Sequence, residues 1–308
     1  SITLTTHLAE FDTTWMASNG WVDGGDGSIS AAGTYGSAVL NTSSGLLTYS
    51  LDNTAPATEA LSDGEAASDS FTVAALGIES QEQSTYVATF NITGTNDAPV
   101  ITAQIPDFSV AEDTGATGPT NVDESGSLGF VDLDLTDTHT VDSLLSNSEF
   151  RDRNGNLSAP PAGVPALESF DLFHIDNAGD WTFQGDLELD FLADGESITF
   201  TYVITVDDGE GGTAQQNPLN ITITGTNDDP VATANTNTIA EDAVAPVAGN
   251  VLTDDDGFGV DSDADTSDTL SVSQVDAETN PASDVTGSYG TLDWETNGGY
   301  SYTVDNGN

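Results

Sequence analysis

The sequence has no cysteine and no lysine, and its only cationic side chains are Arg151 and Arg153. Without cysteine, disulfides and thiolate metal sites are excluded, so stiffness must come from packing or from bound ions. Without lysine, a phosphate-binding glycine loop cannot be completed. No apolar run approaches the roughly 18 residues of a membrane-spanning helix. No leader-type segment opens the chain, which therefore reads as an internal piece of something longer. The three histidines, His7, His139 and His174, share no metal-site spacing and read as strand or loop residues. No Gly-x-Ser-x-Gly elbow is present. Paired carboxylates could hydrolyse glycosides, but in so acidic a chain some pair falls at any required distance. The expectation is a protein that is not an enzyme.

What the chain has in excess is acid. It carries 52 Asp plus Glu against 2 Lys plus Arg, a formal net charge of −50. Such a surface repels nucleic acid and anionic lipid, which excludes nucleic-acid binding and direct membrane insertion. It also repels itself: two like charges 4 Å apart cost about 1 kcal/mol in bulk water and several times more near a protein surface. A compact fold therefore needs bound cations, high salt or wide charge spacing. Acidic chains poor in aromatics are often disordered, but here the apolar residues are patterned.

The pattern is a repeat. Gly94-Thr95-Asn96-Asp97-Ala98-Pro99-Val100 returns as Gly225-Thr226-Asn227-Asp228-Asp229-Pro230-Val231, 131 residues on (225 less 94). Asp132, Asp134 and Asp137 return at the same offset as Asp263, Asp265 and Asp268. Ala111-Glu112-Asp113 returns as Ala240-Glu241-Asp242, and Thr34-Tyr35-Gly36 through Asn53 resembles Ser288-Tyr289-Gly290 through Asn306. Residues 1–98 then form a unit lacking its early part, 99–229 a complete unit, and 230–308 a unit lacking its late part. Pro99 and Pro230 stiffen the joints.

Within a unit the period is two. Ile198, Phe200, Tyr202, Ile204 and Val206 alternate with Thr199, Thr201, Val203 and Thr205, giving one apolar face. Leu219, Ile221 and Ile223 do the same, as do Tyr86, Ala88, Phe90 and Ile92, and a further strand holds Tyr300, Tyr302 and Val304. Residues 207–212 read as a hairpin turn. Helical hints are confined to single turns near 57–61 and 187–192. The fold class expected is all-β: tandem, elongated Ig/cadherin-like Greek-key β-sandwiches.

These motifs, with Leu192-Ala193-Asp194-Gly195-Glu196-Ser197, Tyr49 through Asn53 and Val206 through Thr213, resemble the VCBS-type repeat of bacterial RTX-like adhesins, itself similar to cadherin-like domains. The resemblance covers nearly the whole chain; residues 1–33 depart from it, and the 74–84 loop lacks the Asp-Asp-Gly turn. It implies a module of a long extracellular protein, secreted or on a bacterial cell surface, in a scaffold or adhesion role. Its partners would be neighbouring repeats of the same protein, with a cell-surface or carbohydrate target reached through other regions.

Calcium takes six to eight oxygen ligands. If the chain runs as in cadherin-like domains, Asn96 and Asp97 join Asp132, Asp134 and Asp207 at the first joint. Glu112, thirteen residues beyond Pro99 and up to roughly 43–47 Å away when extended, reaches the opposite pole. There it joins Asn227, Asp228, Asp263 and Asp265. Glu241, the repeat of Glu112, completes the ligand set. Asp and Asn are equally turn and cap residues, and that reading stays open for each of them. For Asp137 and Asp268 the two readings stand side by side; the turn reading is the one taken for Asp113, Asp242 and Asp208, and for the run 254–256. Gly24-Gly25-Asp26-Gly27 reads as a loop. Trp15, Trp21, Trp181 and Trp294 could line a sugar-binding face, although Trp181 and Trp294 fall in strands. Two roles compete: a rigid calcium-bound extender, and a homopolymeric extracellular filament assembled by strand pairing between chains.

Overall fold

The computed structural model describes residues 2–3, 13–76, 82–112, 122–185 and 189–307. His7, Asp113, Leu187 and residues 77–81 lie outside them. The chain is all-β, with two short helices, Thr13–Ser18 and Pro56–Glu59, and one 3₁₀ turn among the described residues. The second of these fits the single turn expected near 57–61; the first carries no sequence signal of its own.

The first part holds a five-stranded antiparallel sheet in the order Ile2–Thr3, Leu46–Leu51, Gly36–Asn41, Ser28–Ala32, Trp21–Asp23. A long hairpin of Ala66–Leu76 and Gln83–Thr93 accompanies it. Its core gathers Trp21, Ile29, Leu40, Leu47, Phe71 and Val73, with Tyr49 stacked on Phe90 at 4.6 Å between ring centroids. Asp69 is buried there and takes the N–H groups of Thr34 (2.8 Å) and Tyr35 (3.0 Å) and the hydroxyl of Tyr49 (2.7 Å). Burial alone would raise its pKa, but those three donors bring it below the ordinary value.

The middle part is built on a larger sheet, ordered Leu157–Ser158, Thr140–Arg151, Ser197–Asp207, Leu219–Thr224, Phe108–Ala111. The last pair is parallel. A three-stranded sheet of Val122–Ser127, Asp180–Gly185 and Phe173–Ile175 contributes to the same core. The period-two reading is realised residue by residue: along Ser197–Asp207 buried and half-buried positions alternate without a break. Ile198, Phe200, Ile204 and Val206 are fully buried. Each contributes about 1.5–3 kcal/mol by leaving water, which fixes the register, since a one-residue slip would turn the whole set outward.

The last part has a four-stranded sheet, Val247–Asn250, Gly299–Val304, Gly290–Trp294 and Val285–Thr286. Trp294 is its one buried apolar side chain among the described residues.

Two extended linkers, 94–99 and 225–230, join these parts. Each starts with a glycine for a steric reason. A Cβ on Gly94 would sit 2.2 Å from the Ser62 carbonyl oxygen and 2.4 Å from that of Leu61. A Cβ on Gly225 would sit 2.4 Å from the carbonyl oxygens of Leu192 and Ala193. The repeated Gly-Thr-Asn-Asp motif thus starts where the backbone passes against the turn before the long strand.

Candidate metal centres at the two linkers

Asp132-Leu133-Asp134-Leu135-Thr136-Asp137 inverts the usual partition of side chains. Leu133 is 51% and Leu135 79% exposed, while Asp134 is 1% exposed. Ordinarily carboxylates stay in water and leucines leave it. A tight local fold enforces the inversion: the Asp134 N–H donates to Asp132 Oδ1 at 3.0 Å, and the Asp137 N–H to the Asp134 carbonyl at 3.2 Å.

Onto this loop comes the first linker. The Asp97 N–H donates to Asp134 Oδ2 at 2.7 Å. Asn96 Nδ2 donates to Asp208 Oδ2 at 3.0 Å, and Asp208 is 2% exposed on the hairpin after Ser197–Asp207. Gly212 makes room for that contact, since a Cβ there would lie 2.1 Å from Asp208 Oδ2. The result is a nest of oxygens: carboxylate atoms of Asp132, Asp137 and Asp208 lie within 4.8 Å of one another. Asn96 Oδ1, Asp134 Oδ1 and Asp137 Oδ2 are buried with no hydrogen-bond partner among the described residues.

The electrostatics follow from this crowding of carboxylates. Burial, then the charges of Asp137, Asp97 and Asp132, push the Asp134 carboxyl above its ordinary pKa; the Asp97 N–H only partly offsets them. Asp208 moves the other way: burial would raise it, but Asn96 and the N–H groups of Glu210 and Gly212 bring it down. An all-oxygen donor set suits a hard cation. Oxygens on opposite sides of an ion with ligands at 2.3–2.6 Å lie roughly 4.6–5.2 Å apart, so the nest has the dimensions for one.

The second linker repeats the arrangement. The Asp228 N–H donates to Asp265 Oδ2 at 3.0 Å and the Asp265 N–H to Asp263 Oδ1 at 3.1 Å. Asp265 is 1% exposed, its Oδ1 again without a hydrogen-bond partner among the described residues. From the preceding sandwich, buried Glu112 accepts the Thr226 N–H at 2.8 Å. Burial, Asp263 and Glu196 raise the Asp265 carboxyl, against the Asp228 N–H and Arg153, which lower it.

The sequence-derived residues divide accordingly. Asn96, Asp97, Asp132 and Asp134 meet at the first linker, and Glu112, Asp228, Asp263 and Asp265 at the second. Asn227 is exposed and turns its amide Nδ2 to the Asp228 carbonyl at 2.8 Å. Asp207 is displaced by its neighbour: its carboxylate caps the turn at the Gly209 N–H (2.7 Å), and Asp208 faces the nest. Strand alternation is the reason, since Asp207 pairs in the sheet while Asp208 begins the turn. Glu241 is exposed in a turn, beside a surface depression shared with Asp242, Asp305 and Asn306. The strand that carries Glu112 to its linker, Phe108–Ala111, has no counterpart before Glu241 among the described residues.

Sequence reasoning left Asp137 open, favoured a turn role for Asp208, read His139 as a strand or loop residue, and gave Glu196 no role beyond its motif. His139 Nε2 lies 2.9 Å from Asp132 Oδ2 and its ring packs on Phe130. Recurrence of Glu65 as Glu196, at the linker offset, was the available signal for the last. The turn reading holds for 254–256, whose carboxylates accept backbone N–H groups of Asn250, Gly257, Gly259 and Thr236. Trp21 is no sugar platform: it is buried and its Nε1 donates to the Thr72 carbonyl at 2.9 Å. Trp181 and Trp294 are buried as well. No helix among the described residues is long and apolar enough to cross a membrane.

A scan against protein-family models and a search of curated proteins each find no match. Among solved structures, the protocadherin GammaB4 extracellular domain is similar at 14% identity and a TM-score of 0.35. That match covers 90% of this chain but 39% of the protocadherin's. Chicken VE-cadherin EC1-2 is similar at 15% identity and a TM-score of 0.32, over 66% of this chain and 86% of that one. The sialic acid binding region of the Streptococcus sanguinis SK1 adhesin is similar at 14% identity and a TM-score of 0.22, over 50% and 37%. Likenesses at this level carry no argument about function, which has to come from the linkers themselves.

Proposed function

We propose that this chain is a calcium-stiffened run of β-sandwich repeats, a non-catalytic extender within a large bacterial adhesin that is secreted or held at the cell surface. The observation that carries the proposal is the buried carboxylate at each linker: Asp134 and Asp265 are each 1% exposed, with one oxygen tied to the linker and the other left without a hydrogen-bond partner among the described residues. Leaving a buried acceptor unmet costs about 1–3 kcal/mol, and more for a charged one. A fold that does so at both linkers has a cation as the missing partner. The donors are oxygen only, which favours calcium over softer metals. The bacterial and surface assignment is supported by the resemblance to VCBS-type repeats.

At the first linker, Asn96, Asp132, Asp134, Asp137 and Asp208 would hold the ion; at the second, Glu112, Asp263 and Asp265. When bound, the ion supplies positive charge that removes carboxylate repulsion. The chain's own residues do the rest. The Asp97 and Asp228 N–H groups fix the linker to the loop that follows. Ser62 Oγ and Thr136 Oγ1, 2.5 Å apart, connect the first sandwich to the second. An ion held only in the folded joint stabilises it in proportion to ln(1 + [Ca²⁺]/Kd), and extracellular modules work at Kd of about 10⁻⁴–10⁻³ M.

Titration calorimetry of the full chain at constant ionic strength, with calcium and then magnesium, tests this. Saturable calcium binding at millimolar affinity or tighter, with magnesium much weaker, is expected. No saturable calcium heat, or equal heats with calcium and magnesium, would overturn it.

A further inference from the structure

The two linkers differ in the positive charge that reaches their acidic loops. At the first, the carboxylates of Asp137, Asp97 and Asp132 crowd Asp134, His139 Nε2 lies 2.9 Å from Asp132 Oδ2, and no arginine contacts the loop among the described residues. At the second, one of the chain's two arginines reaches across. Arg153 Nη2 forms an ion pair with Asp268 Oδ1 and donates to Ser267 Oγ at 3.2 Å. Arg153 belongs to the middle sandwich and Asp268 to the loop after the linker, so this contact spans the joint.

The hairpin tip that presents Arg153 is well held. Asp152 Oδ1 accepts the N–H groups of Asn154 and Asn156, both at 2.9 Å, and the Gly155 N–H closes onto the Asp152 carbonyl at 2.7 Å. The tip leans on the turn at Gly195, where a Cβ would stand 3.6 Å from the Arg153 carbonyl oxygen. Arg151, by contrast, stays within its own hairpin, on Glu149 at 3.0 Å and the Gly155 carbonyl at 3.1 Å.

We propose that Arg153 is a built-in cation of the second acidic loop, latching residues 263–268 to the preceding sandwich without a metal ion, so that the two linkers differ in their need for added cation. On removal of divalent ions the first joint loosens and the second stays engaged. The loosening of the first joint rests on the calcium reading; the latch itself depends only on the guanidinium reaching Asp268.

Hydrogen exchange on the full chain reads both loops at once, because they carry matched amides. Asp137 donates to the Asp134 carbonyl at 3.2 Å and Asp268 to the Asp265 carbonyl at 2.9 Å. In chelator, after correction for intrinsic rates, the 263–268 amides exchange roughly two- to five-fold more slowly than those of 132–137, the range of a partly exposed ion pair. Arg153→Gln removes that difference. Arg151→Gln, the same charge change two residues away, keeps it. Equal exchange in the two wild-type loops, or equal effects of the two substitutions, would overturn the latch. A calcium effect on neither loop would instead sink the calcium proposal and leave the latch standing.

Discussion

The backbone N–H of Asp97 donates to Oδ2 of Asp134 at 2.7 Å, leaving Oδ1 of the same carboxylate buried and without a hydrogen-bond partner among the described residues. The same pair recurs 131 residues on as Asp228 and Asp265. Asp134→Asn keeps the shape and the linker hydrogen bond but removes the charge. It is expected to weaken calcium binding at the first joint about tenfold or more, some 1.4 kcal/mol per factor of ten. Because burial and like charges oppose ionisation of Asp134, the metal-free variant unfolds at a higher temperature than wild type. Calorimetric titration and thermal unfolding in chelator check the two halves of this expectation.

Asp207 and Asp208 separate turn chemistry from site chemistry. Asp208→Asn is expected to lower calcium affinity at the first joint several-fold. Asp207→Asn loses a charge-assisted cap on Gly209, costs about 1 kcal/mol or less of stability, and leaves affinity within about twofold. Parallel titrations of the two variants decide it; equal effects would mean that the nest is not the site.

The metal-free protein should respond to pH in a particular order. The carboxyls of Asp134 and Asp265 titrate above their ordinary range in the folded state. The folded state therefore binds protons that the unfolded state does not, and stability rises as pH falls from 7 through their folded pKa values. Asp69 and Asp208 are shifted down, so their stabilisation is present above the unfolded carboxylate value of about 3.9 and is lost as pH falls further. Thermal unfolding in chelator should pass through a stability maximum on the acid side of neutrality. Saturating calcium should abolish the initial rise, because the ion takes the place of the proton.

The core of the middle part is distinct from that of the first. Phe200→Ala, at a fully buried position, should cost about 3–5 kcal/mol. In calorimetry the transition of the middle part shifts, and that of the first part stays in place.

Much of the fold was legible because burial here follows a period of two: Ile198 through Val206 and Leu219 through Ile223 could be assigned to one face from the letters alone. The linkers were legible because they repeat. What the sequence left ambiguous was direction. Asp207 and Asp208 are neighbours of one type, and only the end of strand pairing decides which faces inward. Asp137 was open between cap and ligand, since its backbone does make the turn while its side chain also joins the nest. Arg153 gave no signal, because its partners Ser267 and Asp268 are more than a hundred residues away.

The central claim, that cations at the linkers set the stiffness of the chain, is tested most directly by small-angle scattering of the full chain through a calcium titration at constant ionic strength. The account predicts a maximum dimension that grows and saturates with calcium at millimolar concentration or below, and does not grow with an ionic-strength-matched sodium salt. A dimension that stays unchanged through that titration, and grows only when ionic strength is raised with any salt, would contradict it.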